Sequence, residues 1–184
     1  MTKALLIIDI QNDYFLGGKM ELEGSEPASL RAGELIAAFR KRRLPVIHIQ
    51  HISTRPGASF FLPDTDGVKI HDNVAPADGE TLIKKHFPNA FRETTLLDHL
   101  QNTGIRELVI AGMMTHMCVD ATTRAAADLG YTCSLAHDAC ATRALAFGDT
   151  KVPADHVHGS FLAALNGTYA AVKPASQLVS GLAG

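Results

Sequence analysis

The sequence predicts an α/β protein with a three-layer, Rossmann-like parallel sheet of about six strands and helices on both faces. Short apolar runs rich in β-branched residues alternate with stretches of helical periodicity, the mark of repeated strand-helix units. The first run, Ala4-Leu5-Leu6-Ile7-Ile8, is apolar at every position, as a strand covered on both faces must be. At 184 residues the chain is a little longer than one average domain, so a single unit over residues 1–184 is expected.

The first strand stops at Asp9. Ser25-Glu26-Pro27 then opens a helix whose inward stripe is Leu30, Leu35, Ile36 and Phe39, with the basic cluster Arg40 to Arg43 at the favourable end of its dipole. Pro45 closes it, and Val46 to Gln50 is a second strand. From Ser53 to Asp78 the chain carries Pro56, Pro63 and Pro76 with little periodicity, which predicts a long irregular connection of the kind that usually serves function. Thr81 to Lys85 is a short third strand. Thr94 caps a helix bearing Leu96, Leu97 and Leu100, Gly104 stops it, and Glu107 to Ala111 is a fourth strand. Gly112 to Met117 is a loop, after which Cys118 opens an alanine-rich helix that Gly130 ends. Tyr131 to Ala136 is a fifth strand. A helix from about Pro153, with Val157, Phe161 and Leu165 on one face, leads past Gly167 to a last strand, Tyr169 to Val172.

Composition narrows the function. The formal net charge of -2 gives no electrostatic footprint for a polyanion, so no nucleic-acid partner is expected. With 46% hydrophobic residues the chain can build a sizeable core, yet no stretch of about eighteen apolar residues occurs and no membrane partner is expected. The N-terminal segment lacks a long apolar core with a cleavage site, and the three cysteines, Cys118, Cys133 and Cys140, are odd in number and widely spaced. A reducing cytoplasm is the expected setting.

In an open parallel sheet the ligand crevice lies beyond the carboxyl ends of the strands, which singles out Asp9, Lys85 and Cys118. By residue type alone, Asp9 reads equally as a turn or cap residue, Lys85 as a solvated loop-edge lysine, and Cys118 as a small buried hydrophobe. At a junction of loop and helix, however, a thiolate is favoured by backbone N–H groups and by the positive helix end, and would be a capable nucleophile of lowered pKa. Cys133 falls mid-strand. Cys140 follows the fifth strand and is placed to reach the crevice rim, and His116 is near enough in sequence to serve Cys118 as a base or to pack at the rim. His48 and His51 form the closest histidine pair, but no carboxylate accompanies them and their spacing is not that of a helical zinc motif. No metal is expected, and with no glycine-rich loop after the first strand, no nucleotide cofactor either.

Three segments together carry a resemblance: Asp9-Ile10-Gln11-Asn12-Asp13-Tyr14-Phe15, Ile83-Lys84-Lys85-His86-Phe87-Pro88-Asn89-Ala90-Phe91, and Gly112-Met113-Met114-Thr115-His116-Met117-Cys118-Val119-Asp120-Ala121-Thr122-Thr123-Arg124. In order, they resemble the isochorismatase-like cysteine hydrolases, the superfamily of nicotinamidase and N-carbamoylsarcosine amidohydrolase. The resemblance implies a catalytic triad of Asp9, Lys85 and Cys118, with Lys85 chosen over Lys84 because the family's lysine stands five residues before the alanine of its Ala-Phe pair, here Ala90-Phe91. It implies a cis peptide at Met113-Met114 and an oxyanion hole from the backbone N–H groups of Met114 and Cys118. Tyr14 stands where the family has a pocket aromatic, with Phe91 and Phe61 as further substrate walls.

Two departures sharpen the expectation. The metal-dependent nicotinamidases carry an aspartate after the second strand, and Ile49-Gln50-His51-Ile52-Ser53-Thr54 has none, which implies neither a metal nor nicotinamide. Members that cleave the vinyl ether isochorismate lack the cysteine. The resemblance therefore implies a metal-independent cysteine hydrolase, without cofactor, that cleaves a C–N bond of a small amide, ureido or carbamoyl substrate through a Cys118 thioester. An isochorismatase- or nicotinamidase-type hydrolase, a non-catalytic binding protein of the same fold and a redox thiol protein are the alternatives. A homodimer or homotetramer is implied by the family's habit.

Overall fold

In the computed structural model, which describes residues 2–183, six parallel strands form one sheet in the order β3-β2-β1-β4-β5-β8. They are β1 (Thr2–Ile8), β2 (Val46–His51), β3 (Thr81–Lys85), β4 (Ile105–Met113), β5 (Thr132–Ala141) and β8 (Ala171–Lys173), with β6 (Leu145–Phe147) and β7 (Thr150–Val152) forming a separate antiparallel hairpin. The helices are α1 (Ser25–Lys41), α2 (Leu96–Asn102), α3 (Asp120–Asp128), α4 (Ala154–Leu165) and α5 (Ala175–Ser180).

Alternation along the central strands divides the core. Leu5, Ile7, Val109 and Ala111 point to the face covered by α1 and α5, whereas Leu6, Ile8, Leu108 and Ile110 point to the face covered by α2, α3 and α4. Both sets are buried, which is why β1 reads as uninterrupted apolar sequence. On α1 the inward stripe is Ala28, Ala32, Leu35, Ile36 and Phe39, spaced by threes and fours. Leu30, expected in that stripe, lies off it and is 53% exposed. Leu35→Ala should therefore cost about 2–5 kcal/mol in chemical denaturation, while Leu30→Ala should change stability by no more than about 0.5 kcal/mol. Equal losses at the two positions would contradict this packing.

Other elements depart from the sequence reading in ways that bear on the site. Strand β4 runs on to Met113, and the following residues form a wide turn over Thr115–Val119, so Cys118 lies inside this turn and does not open α3. Strand β5 continues to Ala141, because a bulge slips its register from Ile110↔Leu135 to Gly112↔Cys140 and places Asp138, Ala139 and Cys140 within the strand. The last sheet strand begins at Ala171, two residues later than expected. The β6–β7 hairpin and the six-residue α5 went unforeseen, since three-residue strands joined at Gly148-Asp149 carry too little alternation to read.

Gly112 is fixed by close approach. Its φ is +145°, and a Cβ there would stand 2.1 Å from Ile8 O on the neighbouring strand. It thus lets β4 lie against β1 at the point where both strands end and the strand order reverses.

Candidate active site

Asp9 leaves β1 with φ +50°, a left-handed turn that aspartate tolerates, and its carboxylate is wholly buried. Cys118 descends from β4, the adjacent strand, and is 5% exposed. Lys85 ends β3, two strands away, and its side chain crosses the end of β2 to reach them, fully buried. Its neighbour Lys84 points to the opposite face and is exposed. Lys85 Nζ lies 2.7 Å from Asp9 Oδ2, 3.2 Å from Cys118 Sγ, 3.0 Å from His51 Nδ1 and 3.0 Å from Phe87 O. The three separate sequence segments thus meet at one ammonium group.

These contacts set the charges. Burial would lower the Lys85 ammonium, but the Asp9 charge and the hydrogen bonds to Asp9 and Cys118 outweigh it and hold its pKa above the usual lysine range. Burial also raises the Asp9 carboxyl above the usual carboxylate range, against the pull of Lys85. The Cys118 thiol is pushed far up, first by burial and then by the Asp9 charge. The lowered thiol pKa anticipated for a loop-helix junction therefore does not arise, because Cys118 lies in the interior beside a carboxylate. The 2.7 Å contact pairs the Asp9 carboxylate with the Lys85 ammonium, and burial beside that carboxylate favours the protonated Cys118 thiol. Besides Lys85, the Asp9 carboxylate is approached by the Cys118 thiol and the His51 backbone, whose hydrogen bonds oppose the effect of burial, so the thiol proton has an acceptor at hand.

His51 was passed over in sequence as one of a bland histidine pair. Its companion His48 faces away and bonds Glu80 at 2.9 Å. His51 is locked at the end of β2 by the Gln11 amide, which accepts from His51 N at 2.7 Å and donates to His51 O at 2.9 Å and Val68 O at 2.7 Å. A donating ammonium at Nδ1 requires the neutral tautomer with the proton on Nε2. Burial, then the nearby Lys85 charge, lowers the imidazole pKa to about 3. An unfolded histidine protonates near 6.5. Its neutral folded form thus contributes stability that is present above that pH and lost as pH falls from 6.5 towards 3. Replacing it, as in His51→Gln, should flatten that part of the stability profile in acid denaturation; an unchanged slope would contradict the assignment.

Asp9, His51 and Cys118 each offer a metal-ligating atom, all within 4.8 Å of one another. Lys85 Nζ touches all three, so a divalent ion would have to displace a buried ammonium from the Asp9 carboxylate. This donor set does not fit a metal.

Above Cys118 opens a cavity of about 120 Å³, the room of about four waters. Tyr14, Phe60, Phe61 and Phe87 supply its aromatic walls and Met114 part of its floor. Phe61, at φ +56°, is held by its N–H to the Asp13 carboxylate at 2.6 Å, which also accepts from Lys19 N. Asp13 is thereby the anchor of the long connection, a role its place in Asp9-Ile10-Gln11-Asn12-Asp13-Tyr14 did not reveal. Of the three expected walls, Tyr14 and Phe61 line the cavity. Phe91 does not: it is packed outside, stacked on Tyr131 at 6.2 Å between ring centres.

The Met113-Met114 peptide is cis. Beyond it the wide turn is closed by Met117 N and Val119 N donating to Met114 O and by Asp120 N donating to Thr115 O; the N–H groups of Met114 and Cys118 are not among these donors. His116 turns away from Cys118 to Thr142 Oγ1 and the Phe161 ring, so it packs beside the turn and is not a base. Cys133 is buried in β5, and Cys140 is buried there with its thiol pushed up to about 12 by that burial.

A buried thiol, carboxylate and ammonium at the carboxyl edge of a doubly covered parallel sheet define an α/β protein with a candidate nucleophile site. Comparison with known proteins gives the family. Residues 3–153 match the isochorismatase domain model. The chain is 54% identical over 173 residues to the uncharacterized isochorismatase family protein YddQ of Bacillus subtilis, covering 94% of this chain and 96% of that one. A crystal structure from Oleispira antarctica superposes with TM-score 0.95 at 51% identity, covering 98% and 97% of the two chains. More distant relatives include a streptothricin hydrolase of Streptomyces noursei, 34% identical over 77% of this chain and 50% of its own. A ureidoacrylate amidohydrolase, RutB, of Pseudomonas savastanoi is 26% identical over 70% and 66%. The chain belongs to the isochorismatase family and is a hydrolase of that family. No helix among the described residues is long and apolar enough to cross a membrane.

Proposed function

We propose that this hydrolase is a metal-independent cysteine amidase that cleaves the C–N bond of a small amide, ureido or carbamoyl compound. The observation that carries the reading is the Lys85 ammonium, in contact at once with Asp9, Cys118 and His51. One negative charge is shared between Asp9 and Cys118, and Lys85 balances it on either atom. As the substrate carbonyl approaches, the thiol proton passes to Asp9 and the sulfur attacks the carbonyl carbon. The N–H groups of Met114 and Cys118 receive the resulting oxyanion, at about 3–4 kcal/mol per donor in comparable sites. Asp9 returns the proton to the departing nitrogen, ammonia or an amine leaves, and water attacks the Cys118 thioester with Asp9 again taking a proton, which it hands to the departing Cys118 sulfur as the acid is released. The name of the ureidoacrylate amidohydrolase supports C–N chemistry.

A panel of small amides, ureido acids and carbamoyl compounds, assayed for ammonia release with acid quenching and intact-mass measurement, tests this. Turnover with a thioester adduct on Cys118, reduced about a thousandfold or more by Asp9→Asn, is expected. Turnover undiminished by Asp9→Asn would exclude the role given to that carboxylate.

A further inference from the structure

The turn that carries Cys118 is braced from outside by side chains. It is wider than an α-helical turn, with Val119 N donating to Met114 O and Asp120 N to Thr115 O, and the two N–H groups assigned to the oxyanion take no part in closing it. His116 ties it to Thr142. Thr115, the residue after the cis peptide, is fully buried, and its hydroxyl donates to Ala141 O at the end of β5 at 3.2 Å. The same oxygen stands 2.9 Å from Nδ1 of His158, a half-buried residue of α4. A hydroxyl has one proton, so with that proton on the Ala141 carbonyl, Thr115 accepts from His158 Nδ1–H. Turn, strand and helix thus meet at one buried oxygen. His158 does not line the cavity above Cys118, so its effect on the reaction passes through Thr115.

We propose that His158 is a positioning residue for the oxyanion hole: through Thr115 it holds the turn against the end of β5 and so aims the Met114 and Cys118 N–H groups. The inference rests on the amidase reading for the part those two groups play. Such donors act at about 2.7–3.1 Å from the atom where charge develops, and a misplacement of about 1 Å can cost about a hundredfold in rate. The nucleophile has its own support. Cys118 Sγ is held by Lys85 Nζ at 3.2 Å, and that ammonium is fixed by Asp9 and by Phe87 O. Loss of the His158 bond therefore weakens oxyanion stabilisation and leaves the thiol and its base in place.

The test compares two reactions of Cys118, in both of which the thiol proton passes to Asp9. Acetylation by p-nitrophenyl acetate forms the S–acyl bond through a tetrahedral oxyanion and expels p-nitrophenolate; alkylation by iodoacetamide forms an S–carbon bond and expels iodide without one. In His158→Leu, which keeps bulk and removes the hydrogen bond, acetylation followed by p-nitrophenolate release and intact mass should slow about tenfold or more, while alkylation stays within about twofold. His158→Asn, with an amide N–H in place of Nδ1–H, should regain most of the loss. Val157→Ala, at a buried α4 position with no bond to the turn, should lower stability in urea and leave the ratio of the two rates unchanged. Both rates falling together in His158→Leu, neither rate falling, no recovery in His158→Asn, or an equal shift of the ratio in Val157→Ala would each overturn the positioning role. The amide panel separates this from the amidase reading. No ammonia from any amide, with the two rates diverging as expected, would count against the amidase reading alone; amide turnover with kcat unchanged in His158→Leu would count against the positioning role alone.

Discussion

Cys118→Ala is expected to lower hydrolysis by about four orders of magnitude or more while leaving the fold intact. The side chain is small, 5% exposed, and packed among Val119, Ile8 and the rest of the face covered by α2 and α3, so alanine removes one sulfur atom and little else. The chemistry has no substitute. His116 bonds Thr142, and Cys133 and Cys140 are buried in β5. Ammonia-release assays on the best amide of the panel, with circular dichroism to verify the fold, give the result directly. Activity above about a hundredth of the starting value would mean that another group attacks the carbonyl.

Lys85→Met carries the second large effect, and on stability as well as rate. It removes the cation paired with a carboxylate that is entirely buried, and breaking such a pair from one side costs about 3–5 kcal/mol. It also releases His51 Nδ1, Phe87 O and Cys118 Sγ from their common donor. Activity is expected to fall about a thousandfold or more, because the charge shared by Asp9 and Cys118 then has no counter-ion. The double substitution Asp9→Asn/Lys85→Met discharges the pocket and should regain a large part of the stability without regaining activity. Urea denaturation of the four proteins measures the coupling. Additive losses would show that Asp9 and Lys85 do not depend on each other.

Much of this was legible in the chain, for reasons that can be named. The apolar run Ala4 to Ile8 marked β1 as a doubly covered strand, and the residues just beyond β1, β3 and β4 had to face one crevice once the sheet was parallel. That brought Asp9, Lys85 and Cys118 forward from the sequence, with the family resemblance selecting Lys85 over Lys84. What stayed hidden depends on contacts distant in sequence. Gln11 pairs with His51 forty residues away and Asp13 with Phe61 forty-eight away, and no local pattern announces either. The Cys118 thiol was expected to be acidic from its place near a helix start, whereas its burial beside Asp9, a tertiary fact, raises it. Phe91 shows the limit of residue type: an aromatic near the motif lysine serves a pocket or a core equally well, and here it stacks on Tyr131.

The central claim, that Cys118 rests as a thiol and hands its proton to Asp9, is tested most directly by the rate of iodoacetamide labelling across pH, followed by intact-mass and peptide mapping. The account predicts that Cys118 labels ahead of Cys133 and Cys140 between about pH 6 and 8 with a shallow pH dependence, since the proton moves within the cluster and not to solvent. In Asp9→Asn that labelling should be lost or become steeply dependent on hydroxide. A Cys118 rate that climbs about tenfold per pH unit towards the free-thiol pKa near 8.5, identically with and without Asp9, would contradict it.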